Sequence, residues 1–257
     1  MRDLALRPRS QEVRRPGGPT MRVSWKVVAA VSLTALALSA FAAPEGKPDV
    51  KILDLSSCDP TLGGFTLDSE NAYFPIDVGL AWTYEGEEGG EEVRLVITVL
   101  DETESVAGVT TRVVEEREWS DGVLVEVSRN FYAAREGTIC YFGEDVDLYD
   151  ETGVNVVSHE GAWRAGVAGA RPGIFMPAEP WPGVRFPMEL APGIAEDQAK
   201  VVGIGPVTVP FGTFGETIRL REYNPLDGDK GFKVFAAGVG MIVDGPAELV
   251  DLVGSSP

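Results

Sequence analysis

The sequence predicts a mainly β fold, an antiparallel meander curled into a barrel or half-barrel, with a long irregular Gly/Pro-rich insertion. Three observations carry this expectation. Segments that alternate apolar and polar residues recur at short intervals. Asp121-Gly122 lies between two such segments, and a tight hairpin turn needs positive φ at both central positions, which Asp-Gly tolerates. No stretch after residue 42 shows a convincing 3.6-residue period.

The first segment stands apart from that fold. Val27 to Ala42 is an uncharged run preceded by the basic stretch Met21-Arg-Val-Ser-Trp-Lys26 and ended by Ala40-Phe41-Ala42. Basic, apolar and small-x-small regions in this order form a signal peptide. Residues 1–42 therefore read as an upstream extension plus signal, cleaved after Ala42. The apolar run is shorter than the roughly 20 residues a spanning helix requires, so no stable membrane span is expected after cleavage. The expected location is outside the cytoplasm, periplasmic or extracellular.

Residues 43–72 are polar and punctuated by Gly and Pro, as in a linker or N-terminal arm, and a single β domain is expected over 73–257. Ala81 to Glu85 is a short aromatic strand. Glu91 to Thr103 is the clearest strand, with Leu95, Ile97 and Val99 on one face and Val96 and Leu100 on the other, as for a strand interior to a sheet. Val109 to Trp119 and Val123 to Tyr132 flank the Asp-Gly turn, and Thr138 to Phe142 follows. Gly161 to Gly193 is dense in glycine and proline yet keeps large apolar side chains, an irregular excursion that anchors itself through them. Strands resume at Ala199–Val202 and Val207–Val209. Phe214 to Arg221 alternates, with Ile218 and Leu220 inward and Thr217, Arg219 and Arg221 outward. Phe232–Ala236, Gly240–Asp244 and Glu248–Leu252 complete the set.

Charge narrows the partners. The chain holds 22 basic and 40 acidic residues, a net charge of −18. Without the first 42 residues the balance is 15 basic to 38 acidic, or −23. Such a body repels phosphate backbones, which argues against nucleic acid as a partner. Its two cysteines, Cys58 and Cys140, could form one disulfide in an oxidising compartment or remain separate thiols.

The strings Tyr141-Phe-Gly-Glu-Asp-Val-Asp147, Ser158-His-Glu-Gly-Ala-Trp-Arg-Ala-Gly-Val167, Ala191-Pro-Gly-Ile-Ala-Glu-Asp197 and Pro210-Phe-Gly-Thr-Phe214 carry a resemblance. Over roughly Tyr73 to Asp244 the chain resembles an uncharacterised family of exported bacterial β-rich proteins. Phe235-Ala-Ala-Gly-Val-Gly240 matches that family's closing phrase in part, with Phe235 and Ala237 in place of a tyrosine and a proline. The resemblance implies export and a β-rich body, and it carries no catalytic residue.

Candidate chemistry is sparse. His159 is the sole histidine, which rules out zinc sites built from several histidines, and no Gly-x-Ser-x-Gly elbow occurs. His159 and Glu160 are the weak catalytic candidates, an acid/base pair near Glu144 and Asp145. The competing reading is a histidine bonded to a neighbouring loop. Glu144, Asp145, Asp147 and Asp150 are candidate Ca²⁺ ligands, but their spacing is not that of an EF-hand loop and a solvated turn competes with that reading. No other cofactor is expected. Trp163, Phe175, Met176, Trp181 and Phe186 could form the rim of a pocket for a hydrophobic small molecule, or could simply plug their own sheet. The leading expectation is an exported, non-catalytic β protein that binds a hydrophobic small molecule. A hydrolase using the His/carboxylate pair and an acidic envelope-interaction or Ca²⁺-binding protein are the alternatives.

Overall fold

The computed structural model describes residues 51–254. The signal peptide and its cleavage after Ala42 lie outside the described residues. Five strands follow one another as a meander: β1 (Ala81–Glu88), β2 (Glu91–Val106), β3 (Val109–Ser120), β4 (Val123–Arg135) and β5 (Thr138–Tyr149). Each hairpin between them turns on two residues ending in glycine. Ala107-Gly108, Asp121-Gly122 and Glu136-Gly137 all have positive φ at both positions, the geometry that matches the twist of the flanking strands. The Asp-Gly turn read from the sequence is one of this set.

Three short strands lie end to end along the outer edge of β5: β6 (Val156–Ser158), β7 (Trp163–Arg164) and β8 (Gly173–Met176). The excursion expected to be irregular thus contributes three pieces of sheet, β7, β8 and β9 (Arg185–Pro187). They are too short to show a period. A second meander follows with β10 (Gln198–Ile204), a separate small hairpin of β11 (Val207–Val209) and β12 (Gly212–Phe214), then β13 (Thr217–Tyr223), β14 (Phe232–Ala236), β15 (Gly240–Asp244) and β16 (Ala247–Val253). The sheet order is β6-β5-β4-β3-β2-β1-β16-β15-β14-β13-β10-β9, with every pairing antiparallel. The first and last strands of the domain are therefore neighbours in the middle of the sheet.

The ladder does not close into a barrel. Its two ends approach through the segments around β8 and β9, where the Arg171 N–H donates to Leu190 O at 3.0 Å. That approach is tight, since a Cβ on Gly173 would lie 1.8 Å from Met188 O. The core runs the length of the sheet and includes Tyr84, Phe142, Phe186, Phe235, Ile218, Leu220 and Leu249, all almost fully buried. Thr217, expected outward, is also buried, and its hydroxyl donates to Gly205 O.

The arm before residue 73 is fastened at several points. Leu53 N donates to Arg185 O and Arg185 N to Lys51 O, both at 2.8 Å, which covers the exposed edge of β9. Cys58 and Cys140 are disulfide-bonded, with Cα atoms 5.5 Å apart. Thr66 exchanges two backbone bonds with Ala134, and Asn71 Nδ2 donates to Gly137 O and Pro177 O.

Candidate functional site

The curved sheet lines a cavity of about 330 Å³ with residues drawn from both meanders. Strand alternation explains how they converge. On β3 the inward face runs Val114, Glu116, Glu118, so an apolar face turns acidic as the strand proceeds. Glu118 stands directly opposite Glu126 on β4, whose inward face continues through Ser128 and Asn130 toward Tyr132. On β13 the buried residues Ile218 and Leu220 are followed two positions on by Glu222. Lys233 of β14 and Asp244 of β15 are cross-strand partners.

β5 needs a bulge to take part. Asn130 pairs with Glu144 and Tyr132 with Tyr141, so two steps on β4 face three on β5. The extra residue puts both Tyr141 and Glu144 on the lining. Gly143 within it has φ +129°, and a Cβ there would lie 2.2 Å from Trp163 O, so only glycine admits β7 alongside.

The apolar part of the lining is aromatic. The rings of Tyr132 and Tyr141 stack with centroids 4.9 Å apart, and Phe175 meets Phe74 at 4.5 Å and Tyr132 at 4.9 Å. The Tyr141 hydroxyl donates to Asn130 Oδ1 at 2.5 Å, while Asn130 Nδ2 donates to Ser128 Oγ at 3.3 Å.

Electrostatics set the cavity apart. Its carboxyl groups are crowded by protein yet keep some surface open. Burial, reinforced by Asp244, pushes Glu116 up to about 8. Burial with Glu126 and Glu116 does the same for Glu144, also to about 8. Glu126, Glu118 and Glu222 rise to about 7, again with burial as the main cause. Glu189 is held far above the carboxylate range by burial and by Glu144. Among the described lining residues Lys233 is the only base. Burial works against its charge, but Asp244 at 2.6 Å and Glu222 at 3.8 Å more than reverse this and keep it protonated well above its ordinary range. Glu222 Oε1 is buried with no hydrogen-bond partner.

Of the residues singled out from the sequence, Phe175 and Glu144 line this cavity. Trp163, Met176 and Phe186 are buried in the core around it, and Trp181 is 61 % exposed. His159 is an exposed surface imidazole whose Nδ1 lies 2.8 Å from Val146 O and 2.9 Å from Asp147 Oδ1. Glu160 is exposed, and Asp145 faces away from the cavity to pair with Arg164 at 2.5 Å. The structure does not bring His159, Glu160, Glu144 and Asp145 together. Asp150 accepts from Thr152 and Asn155 within its own turn, bonds that hold it below the usual carboxylate range. Among the described residues no group of three or more His, Cys, Asp or Glu is arranged to hold a metal ion. Glu116, Glu126, Glu222, Lys233 and Asp244 were not singled out by sequence reasoning, although the alternation of β3 and β13 points Glu116 and Glu222 inward.

Comparison with known proteins adds little to this geometry. No protein-family model matches the chain, and no curated protein matches it. A solved structure described as a "putative lipoprotein" from Parabacteroides distasonis ATCC 8503 aligns with 72 % of this chain and 100 % of its own, at 11 % identity and a TM-score of 0.35. That likeness is too slight to carry an argument. No helix among the described residues is long and apolar enough to cross a membrane.

Proposed function

We propose that this chain is an exported, non-catalytic binding protein whose sheet acts as a half-barrel and holds a small molecule in the cavity between its two meanders. The observation that carries this reading is the cavity itself. Its volume of about 330 Å³ falls within the range of small-molecule sites, roughly 300–1,000 Å³. Its lining pairs aromatic and aliphatic surface with charged and polar groups that can orient a ligand. A structural plug would fill such a space. Here the excursion contributes Phe175, Met188 and Glu189 to the wall and buries Met176 and Phe186 in the core.

Native mass spectrometry of the protein purified from its own envelope tests the proposal. A bound small-molecule mass that is lost on Phe175→Trp, a substitution that intrudes on the space, is the expected result. An unliganded mass from every preparation, together with no thermal stabilisation by any member of a small-molecule library, would refute it.

A further inference from the structure

The lining constrains the charge of the ligand. Resting on the binding reading above, we propose that the cavity takes an organic cation, a protonated amine on an apolar stem, and that its binding expels protons from the carboxyl groups around it.

Charge balance is the first support. Glu116 on β3, Glu126 on β4, Glu144 on β5, Glu222 on β13 and Asp244 on β15 converge with Glu189 and Asp197 of the connecting segments. Lys233 alone opposes them among the described lining residues, and it is already engaged by Asp244 and Glu222. As these carboxyls ionise, an anion entering this space meets net repulsion. A neutral apolar molecule would cover carboxyl groups without replacing their water, which is unfavourable for each group left unpaired.

The second support concerns an oxygen of one of these acids. Glu222 lines the cavity with its Oε1 buried and without a hydrogen-bond partner, while its Oε2 lies 3.8 Å from Lys233 Nζ. The third is the aromatic wall of Phe74, Tyr132, Tyr141 and Phe175, because ring faces attract ammonium groups while accepting an alkyl stem. An amine with an apolar stem answers all three at once.

Proton release follows from the same geometry. Around neutral pH the groups facing the cavity share protons: Glu116, Glu126, Glu144 and Glu222 all titrate between about 7 and 8, with Glu118 beside them. The buried hydroxyls of Tyr84, Tyr132 and Tyr141 stay protonated, since burial drives them well above their ordinary range. A positive ligand favours the ionised carboxylates and lowers their pKa values. Affinity therefore rises with pH across this interval.

The test is calorimetric titration of the disulfide-intact protein with hexylamine, hexanol and hexanoate. Hexylamine is expected to bind at least about tenfold more tightly than the other two. Its heat at pH 7 should change with the ionisation enthalpy of the buffer, the sign of released protons, and its affinity should increase from pH 6 to pH 8. Glu222→Gln and Glu116→Gln, each checked for a wild-type circular dichroism spectrum, should weaken hexylamine by about tenfold and leave hexanol unchanged. Equal or tighter binding of hexanol or hexanoate would overturn the cation assignment while leaving the cavity a binding site. So would a native bound mass in a protein that ignores hexylamine. Stabilisation by Ca²⁺ alone, with no response to the amine, also counts against it. If neither a bound mass nor any titrant is found, the binding reading fails and this inference with it.

Discussion

Lys233→Met is the perturbation whose outcome the cavity fixes most tightly. The Lys233 ammonium lies 2.6 Å from Asp244 and 3.8 Å from Glu222, with its side chain 21 % exposed. Deleting one member of a buried pair commonly costs about 3–5 kcal/mol, because the remaining charge is left without compensation. The cost here must depend on pH. At pH 8 Glu222, titrating at about 7, is ionised and Glu116, at about 8, is roughly half so. At pH 5 both are protonated, so two of the charges that Lys233 offsets are gone. The expected destabilisation is thus about 3 kcal/mol or more at pH 8 and about half that at pH 5. Urea unfolding followed by tryptophan fluorescence, run at both pH values with the disulfide intact, measures it. Adding Asp244→Asn should recover about 1 kcal/mol or more at pH 8, since the orphaned charge disappears with it. A cost below about 1 kcal/mol at pH 8, or an equal cost at both pH values, would show that the pair is solvated and the electrostatic account mistaken.

The unmodified protein should itself lose stability between about pH 5 and pH 8. Its cavity carboxyls have folded pKa values above their ordinary 4.5, so the native state binds more protons than the unfolded one across that window and stability falls as pH rises. Denaturant midpoints that climb over the same interval would contradict this. Gly143→Ala should cost about 2 kcal/mol or more by forcing a Cβ toward Trp163 O in a left-handed backbone, and faster amide exchange at Trp163–Arg164 should accompany it. Replacing Cys58 and Cys140 by alanine removes a cross-link between positions 82 residues apart and should cost about 2–5 kcal/mol, with proteolysis advancing first into the arm before residue 73. His159→Ala should change stability by less than about 0.5 kcal/mol, because its ring is mostly exposed.

The sequence announces the meanders because hairpins are local. Asp121-Gly122 and the alternation of Leu95, Ile97 and Val99 need no distant partner to be read, and the structure buries all three apolar residues. The pairing of β1 with β16 is different, since nothing near Ala81 encodes its contact with Val253. The short strands β7, β8 and β9 hold two to four residues each, fewer than a period needs to show itself. The cavity was hidden for a further reason. Inward carboxyls such as Glu116 and Glu222 look like ordinary surface charge in a chain with 40 acidic residues. They could be told apart only by following an apolar face one or two steps past its last aliphatic residue. Glu144 is visible as part of an acidic run, but the bulge that puts it on the lining together with Tyr141 leaves no mark beyond a glycine.

The seam between β1 and β16 also dictates an order of assembly. Each meander is built from contacts between sequence neighbours and can form quickly, whereas Ala81 and Val253 must close a loop that contains nearly the whole domain. The two halves of the cavity are set facing each other only when that seam zips. Mutations within β1 or β16 should therefore slow the last step of folding and leave hairpin formation untouched. A chain arrested before its final strand would present two separate half-sheets, each with its inward carboxyls open to water. On the binding reading proposed above, the cavity is complete only once the last strand has paired with β1.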